Sequence, residues 1–250
     1  MTVAPPELRV LATAAAVAAA GAEVVRAAAQ EAVQRQGRFT LALSGGSTPR
    51  TLYTLLAQPP YNVAIPWTET QLFWSDERCV PPDHTDSNYR MAREALLDHV
   101  PIPAGNVHRM RGELLVPQQA AQEYRAELQR VFGKQALPRF DLLLLGMGEE
   151  GHTASIFPGV TIPSDPNVPV AAVFVPKVNT WRLTLTLPVL NAAAHVLFLV
   201  AGAAKQDALR SVIQGPRSLD LPAQRVIPSN GTLTFLADRD AAAALPALQP

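Results

Sequence analysis

The chain has 250 residues, 48% of them hydrophobic and 17% charged, and its 21 basic and 21 acidic side chains leave no formal net charge. That much apolar material supplies a substantial core and excludes a disordered chain, while the charge balance excludes a general affinity for nucleic acid or an anionic membrane, so any anion must be held locally. The single cysteine, Cys79, excludes an intrachain disulfide and suits a reducing cytoplasm.

In chain order, a helical pattern runs from Glu7 to Gln36. Its Ala-rich part, Leu11 to Ala22, has the small residues of a signal-peptide core, but Glu7, Arg9, Glu23 and Arg26 flank it and the alanine pattern continues to Val33. One long helix is the better expectation. No stretch is apolar and long enough to span a membrane.

A strand over Phe39 to Leu43 then runs into Ser44-Gly45-Gly46-Ser47-Thr48-Pro49-Arg50, and a helix is expected over Pro49 to Ala57 with Thr48 as its cap. The junction has the makings of an anion cradle. Its glycines free backbone N–H groups to point inward, Ser44, Ser47 and Thr48 add donors, and the positive end of the helix favours phosphate. It lacks both the Gly-Lys-Ser/Thr ending of a P-loop and the third glycine of the dinucleotide fingerprint, so no nucleotide is implied. A tight turn with a helix cap is the plain alternative.

The next strand, Gln71 to Trp74, ends in Ser75-Asp76-Glu77-Arg78-Cys79, and a helix follows over Ser87 to Val100 with Asp86 or Ser87 as its cap. Arg78 is suited to two-point binding of a phosphate or carboxylate, and Asp76 or Glu77 to orienting a base or a sugar hydroxyl. Cys79 lies in this charged loop without a Cys-His-Asn pattern and reads as an incidental thiol.

After a helix over Pro117 to Phe132, the strand Phe140 to Leu145 passes without a spacer into Gly146-Met147-Gly148-Glu149-Glu150-Gly151-His152. The run Leu142 to Leu145 has the continuous hydrophobicity of a strand covered on both faces, and ligands of parallel α/β sheets collect beyond the carboxyl ends of such strands. His152 therefore stands where a general base or acid is useful. Ile162 to Pro169 is dense in proline and marks a surface excursion.

Further strands are expected over Ala171 to Val175, Arg182 to Leu187, Val196 to Ala201 and Thr232 to Leu236, with a helix over Ala203 to Gln214. Lys205 lies near a helix start, where the dipole does not favour a cation, which leaves an anion contact or a plain exposed lysine as its two readings. His99, His108 and His195 read as structural, and no pair of histidines or acids has metal-ligand spacing, so no metal is expected. Alternating strands and helices without a linker or repeat predict one α/β domain over residues 1 to 250, built on a mainly parallel sheet.

Taken together, Ser44 to Pro49, Ser75 to Arg78 with Ser87 to Tyr89, Gly146 to Pro158, and Arg182-Leu183-Thr184-Leu185-Thr186 with Gly202 and Lys205 resemble the 6-phosphogluconolactonase family along nearly the whole chain. That resemblance implies a Rossmann-like three-layer α/β/α sandwich shared with the glucosamine-6-phosphate deaminases. It also implies hydrolysis of 6-phospho-D-glucono-1,5-lactone in the pentose phosphate pathway, in the cytoplasm and without a cofactor. The implied partner is a small sugar phosphate, with no nucleic acid or membrane, and the protein is expected as a monomer or weak homodimer. By the same resemblance His152, Arg78, Glu150 and Asp76 are the catalytic candidates, His152 as the base and Arg78 as a clamp on the oxyanion or substrate. Ser44, Gly45, Gly46, Ser47, Thr48, Arg182 and Lys205 are the candidate substrate-binding residues. The family usually has aspartate where this chain has Glu150, so the carboxylate that orients His152 would reach one methylene further. A deaminase of the same group is the nearest alternative reading, but those relatives follow Asp-Glu with tyrosine, whereas Arg78 stands here. A sugar-phosphate-binding regulator without catalysis is the second, and an intact His152 and Arg78 count against it.

Overall fold

The computed structural model describes residues 5–134 and 137–245. In chain order the principal elements are β1 (Glu7–Leu11), α1 (Ala14–Gln36), β2 (Phe39–Leu43), α2 (Ser47–Leu56), α3 (Tyr61–Ala64), β3 (Thr70–Trp74), β4 (Asp76–Arg78) and α4 (Asn88–Ala95). They continue with α5 (Pro117–Phe132), β5 (Leu142–Leu145), β6 (Val170–Val175), β7 (Thr180–Leu185), α6 (Leu187–Ala192), β8 (His195–Val200), α7 (Gln206–Gln214) and β9 (Thr232–Asp238).

Six strands form a parallel sheet in the order β1-β9-β8-β5-β2-β3, and β4, β7 and β6 form a small antiparallel sheet beside it. This is the α/β architecture expected from the alternating pattern. All side chains of β2 and β5 are buried, as their unbroken apolar runs require of strands covered on both faces. Burying each of the four leucines of β5 contributes about 1.5–3 kcal/mol. α1 lays Val17, Ala18, Ala22, Val25, Ala29 and Ala32 against the sheet at helical spacing, and small side chains keep the helix close.

The chain order reverses between β2 and β5: β3 lies on one side of β2, while β5, β8 and β9 extend the sheet on the other. Such a reversal opens a crevice at the carboxyl ends of the two strands, where the Ser44 and Gly146 loops emerge. Ser75 carries the chain from one sheet to the other. Its N–H donates to Leu43 O at 2.7 Å and its carbonyl accepts from Leu185 N at 2.8 Å, so β4 leaves the edge of the main sheet at a fixed angle.

Several local expectations change. The helix expected from Glu7 begins only at Ala14, where Thr13 accepts from Ala16 N at 3.2 Å; Glu7–Leu11 is an edge strand paired with β9, its period-two pattern hidden beside the long alanine run. α2 starts at Ser47 with Gly46, not Thr48, at its cap, because Gly46 adopts φ 114° and turns the chain two residues earlier. Asp76–Arg78 is a strand and not a loop, β7 ends at Leu185, and Leu187–Ala192 is a short helix. α4 keeps Ser87 as its cap, its hydroxyl accepting from Arg90 N at 3.1 Å, but ends at Ala95.

Candidate active site

One cleft of about 210 Å³ lies over the β2–β5 crevice and gathers most of the predicted residues. Its wall on the β2 side is Ser44, Gly45, Gly46, Ser47 and Thr48; its other walls include Asp76, Arg78, His152, Arg182 and Lys205. Ser44 is held on both sides: its N–H donates to Tyr53 Oη at 2.9 Å, and its Oγ accepts from Gly146 N at 3.2 Å. This serine fastens the two loops to each other. The N–H groups of Gly45 to Thr48 have no partner among the described residues, and they surround the N-terminus of α2, where backbone donors and dipole both favour an anion. Gly45 has no room for a side chain, since a Cβ there would stand 2.0 Å from Asn88 Oδ1.

The acidic pair divides its roles. Glu77 is buried under the start of α4, where its Oε1 accepts from Arg78 N and Asn88 N at 2.7 Å and its Oε2 from Tyr89 N at 2.8 Å. Burial pushes its carboxyl above the ordinary range, opposed by those N–H donors. Of the two acids expected to face a ligand, Glu77 is therefore the helix anchor and Asp76 the one in the cleft. Asp76 is itself fixed, its Oδ2 accepting from Ser155 Oγ at 2.7 Å and its carbonyl from Asn88 Nδ2 at 2.9 Å.

Arg78 and Arg182 are direct register partners across β4 and β7. Two guanidinium groups thus share one side of the cleft. Arg78 Nη1 donates to Asp86 O at 2.5 Å, yet the Nε of each arginine is buried without a partner. Burial and the neighbouring Arg78 charge both lower the Arg182 pKa. A half-buried like-charged pair with unmatched Nε donors is a costly arrangement that a bound anion relieves. Lys205, in the turn after β8, faces the same space.

His152 sits on a tight loop in which Gly148 N donates to His152 O at 2.9 Å and Gly151, at φ 77°, donates back to Gly148 O at 3.0 Å. Its ring stacks on Phe157 with centroids 4.0 Å apart. Burial lowers its pKa, Glu150 and Asp76 oppose that, and Lys205 adds to it; the net direction is downward from the ordinary imidazole value. Glu150 lies outside the cleft wall, behind the ring, with Oε2 3.2 Å from His152 Nδ1 at ion-pair distance but without hydrogen-bond alignment. Burial raises the Glu150 carboxyl, but a hydrogen bond from Lys177, a backbone bond and the charge of His152 outweigh it and hold it at about 2.

Ser155, Asn88 and Lys177 are the participants that sequence reasoning missed. Ser155 lay within the Gly146 to Pro158 segment and Asn88 beside the Ser87 cap, so position was the only signal; Lys177 had none. Three of the other histidines are elsewhere: His108 sits between Glu127 (2.5 Å) and Gln71 (2.8 Å), His195 meets Thr234, and His99 meets the Glu94 carbonyl. Among the described residues no three His, Cys, Asp or Glu side chains gather as metal ligands, and no helix is long and apolar enough to cross a membrane.

The family model described as glucosamine-6-phosphate isomerases/6-phosphogluconolactonase matches residues 12–235. The chain belongs to this family. A Synechocystis protein named 6-phosphogluconolactonase is 44% identical over 216 residues, covering 84% of this chain and 86% of the relative. A Nostoc protein of the same name is 43% identical over 219 residues, covering 86% and 88%. The solved structure of the 6-phosphogluconolactonase of Trypanosoma brucei is similar with a TM-score of 0.85 and 30% identity, over 98% of this chain and 100% of that one.

Proposed function

We propose that the chain hydrolyses 6-phospho-D-glucono-1,5-lactone to 6-phospho-D-gluconate, the second step of the oxidative pentose phosphate pathway. The observation that carries this reading is the meeting, in one cleft, of an imidazole with a row of free N–H groups and two guanidinium groups whose Nε atoms lack partners. The names of the relatives supply the substrate.

In this reading the N–H groups of Gly45, Gly46, Ser47 and Thr48, with Arg182 and Lys205, hold the phosphate, and Ser44 keeps their loop in place. His152 takes a proton from a water whose oxygen bonds to the lactone carbonyl carbon. Arg78 steadies the developing oxyanion, and Asp76 orients a ring hydroxyl and supports the basicity of His152. The bond from that carbon to the ring oxygen then breaks. The proton on His152 passes to the ring oxygen, which becomes a hydroxyl, and the new carboxylic acid releases its own proton to solvent. Glu150 orients the imidazole from behind, leaving Nε2 for the water. The chain acts as one domain in the cytoplasm, without a cofactor.

The test is hydrolysis of freshly generated lactone by the purified chain, without added metal or nucleotide. Acceleration over the spontaneous reaction is expected, with His152→Ala losing most of it while still binding 6-phosphogluconate. Absence of acceleration by the parent chain refutes the reading.

A further inference from the structure

The turn that joins β6 to β7, Pro176–Val178, comes up behind the His152 loop. Lys177 Nζ donates to Glu150 Oε1 there, while Oε2 of the same carboxylate faces His152 Nδ1 at 3.2 Å. Each oxygen of Glu150 thus has one partner, and the three side chains form a line from the surface to the edge of the cleft. A second contact ties the same hairpin to the histidine. Phe157, on which the imidazole stacks, belongs to a small apolar cluster with Ala171, Val173 and Val175 of β6, the strand that ends at Pro176. One hairpin therefore supports both the face of the ring and the carboxylate behind it.

We propose that Lys177 is a positioning residue for the reaction of His152, acting through Glu150: it pins the carboxylate against the imidazole. The inference deepens the lactonase reading and rests on it. A glutamate with Nδ1 in poor hydrogen-bond alignment and no second partner gains as much from turning to water as from facing the ring. With Oε1 fixed by Lys177, the remaining freedom of Oε2 is a small rotation that keeps it beside Nδ1. The pair contributes little to folding, because the Lys177 side chain is 64% exposed and such pairs contribute about 0–1 kcal/mol. Its effect is confined to where the carboxylate points.

The charges that face His152 come from Glu150 on its own loop, Asp76 and Arg78 on β4, Arg182 on β7 and Lys205 after β8. Lys177 acts on it only by way of Glu150. Without Lys177 the carboxylate turns toward water and away from Nδ1, which withdraws its support of the imidazolium and moves the titration of His152 to lower pH.

The experiment compares the parent chain with Lys177→Met, Lys177→Arg, Glu150→Gln and the Glu150→Gln/Lys177→Met double variant. Rates of lactone hydrolysis and the NMR titration of the His152 ring are followed over about pH 5 to 8. Lys177→Met is expected to lower kcat about tenfold with KM within about twofold, and to lower the titration midpoint of His152. Lys177→Arg restores both, and in the Glu150→Gln background Lys177→Met adds less than about twofold. An unchanged kcat and midpoint in Lys177→Met overturns the proposal, as does a full tenfold loss in the Glu150→Gln background or a loss confined to KM. If the parent chain itself shows no hydrolysis, the lactonase reading fails, and the NMR midpoint still decides whether Lys177 governs His152.

Discussion

A methyl group added at Gly148 would stand 2.0 Å from His152 Nδ1, 2.1 Å from its Cε1 and 2.8 Å from Glu150 Oε2. The Gly148 backbone is outside the left-handed region, so Gly148→Ala strains the neighbours and not the chain itself. Ordinary contact begins at 3.4 Å, so the imidazole must retreat by about 1.4 Å. The ring is the end of a rotatable side chain, and swinging away costs the fold little. It costs the reaction much: a displacement of about 1 Å at a reacting group lowers rates about 10²-fold, equivalent to about 2.7 kcal/mol of barrier. Initial rates with freshly generated lactone, corrected for spontaneous hydrolysis, should thus fall about a hundredfold in Gly148→Ala. The thermal midpoint and calorimetric affinity for 6-phosphogluconate should stay near the parent values. A parent-like kcat would refute the assignment of the base to this ring in this position.

Gly45→Ala should behave in the opposite way, because Asn88 is buried and bonded to Asp76 and cannot step aside; a loss of about 1–3 kcal/mol in denaturant unfolding is expected. The His152 ring should titrate below its ordinary value of 6.5, so that activity is present above that midpoint and lost as the pH falls through it; an NMR midpoint above 6.5 contradicts the burial argument. Arg182→Met should weaken 6-phosphogluconate binding about 10- to 100-fold, the loss of one charged hydrogen-bonding group, without lowering the stability of the unliganded chain, since it relieves the repulsion with Arg78. Cys79, pushed up to about 11 by burial and the Glu77 charge against the opposing Arg182, should react with iodoacetamide far more slowly at pH 7 than a free thiol does.

That the Ser44 to Thr48 loop and His152 meet at one sheet edge was legible because each is a local event: an apolar strand ends abruptly in glycines and polar side chains. The partners that hold those residues were not, because their contacts are made across the fold. Ser155 reaches Asp76 over 79 positions of sequence, and Lys177 reaches Glu150 over 27. β4 escaped notice because three charged residues carry no apolar period, and only pairing with β7 makes them a strand. β1 is hard to separate from the alanine helix because its alternation spans only five residues and runs directly into the long alanine pattern. Glu77 and Asp76 were indistinguishable as types; the direction in which each leaves β4 separates the anchor from the cleft residue.

Ser75, where the chain crosses between the sheets, also has a kinetic meaning. β2 and β3 can pair while most of the chain is still unfolded, but the strand that follows Ser75 must wait for a partner about a hundred residues later. The α2 turn can thus form early, whereas the arginine pair exists only once β7 has paired with β4. During refolding, recovery of helical circular dichroism should therefore run ahead of recovery of turnover, and the interval between them measures the docking of one three-stranded flap.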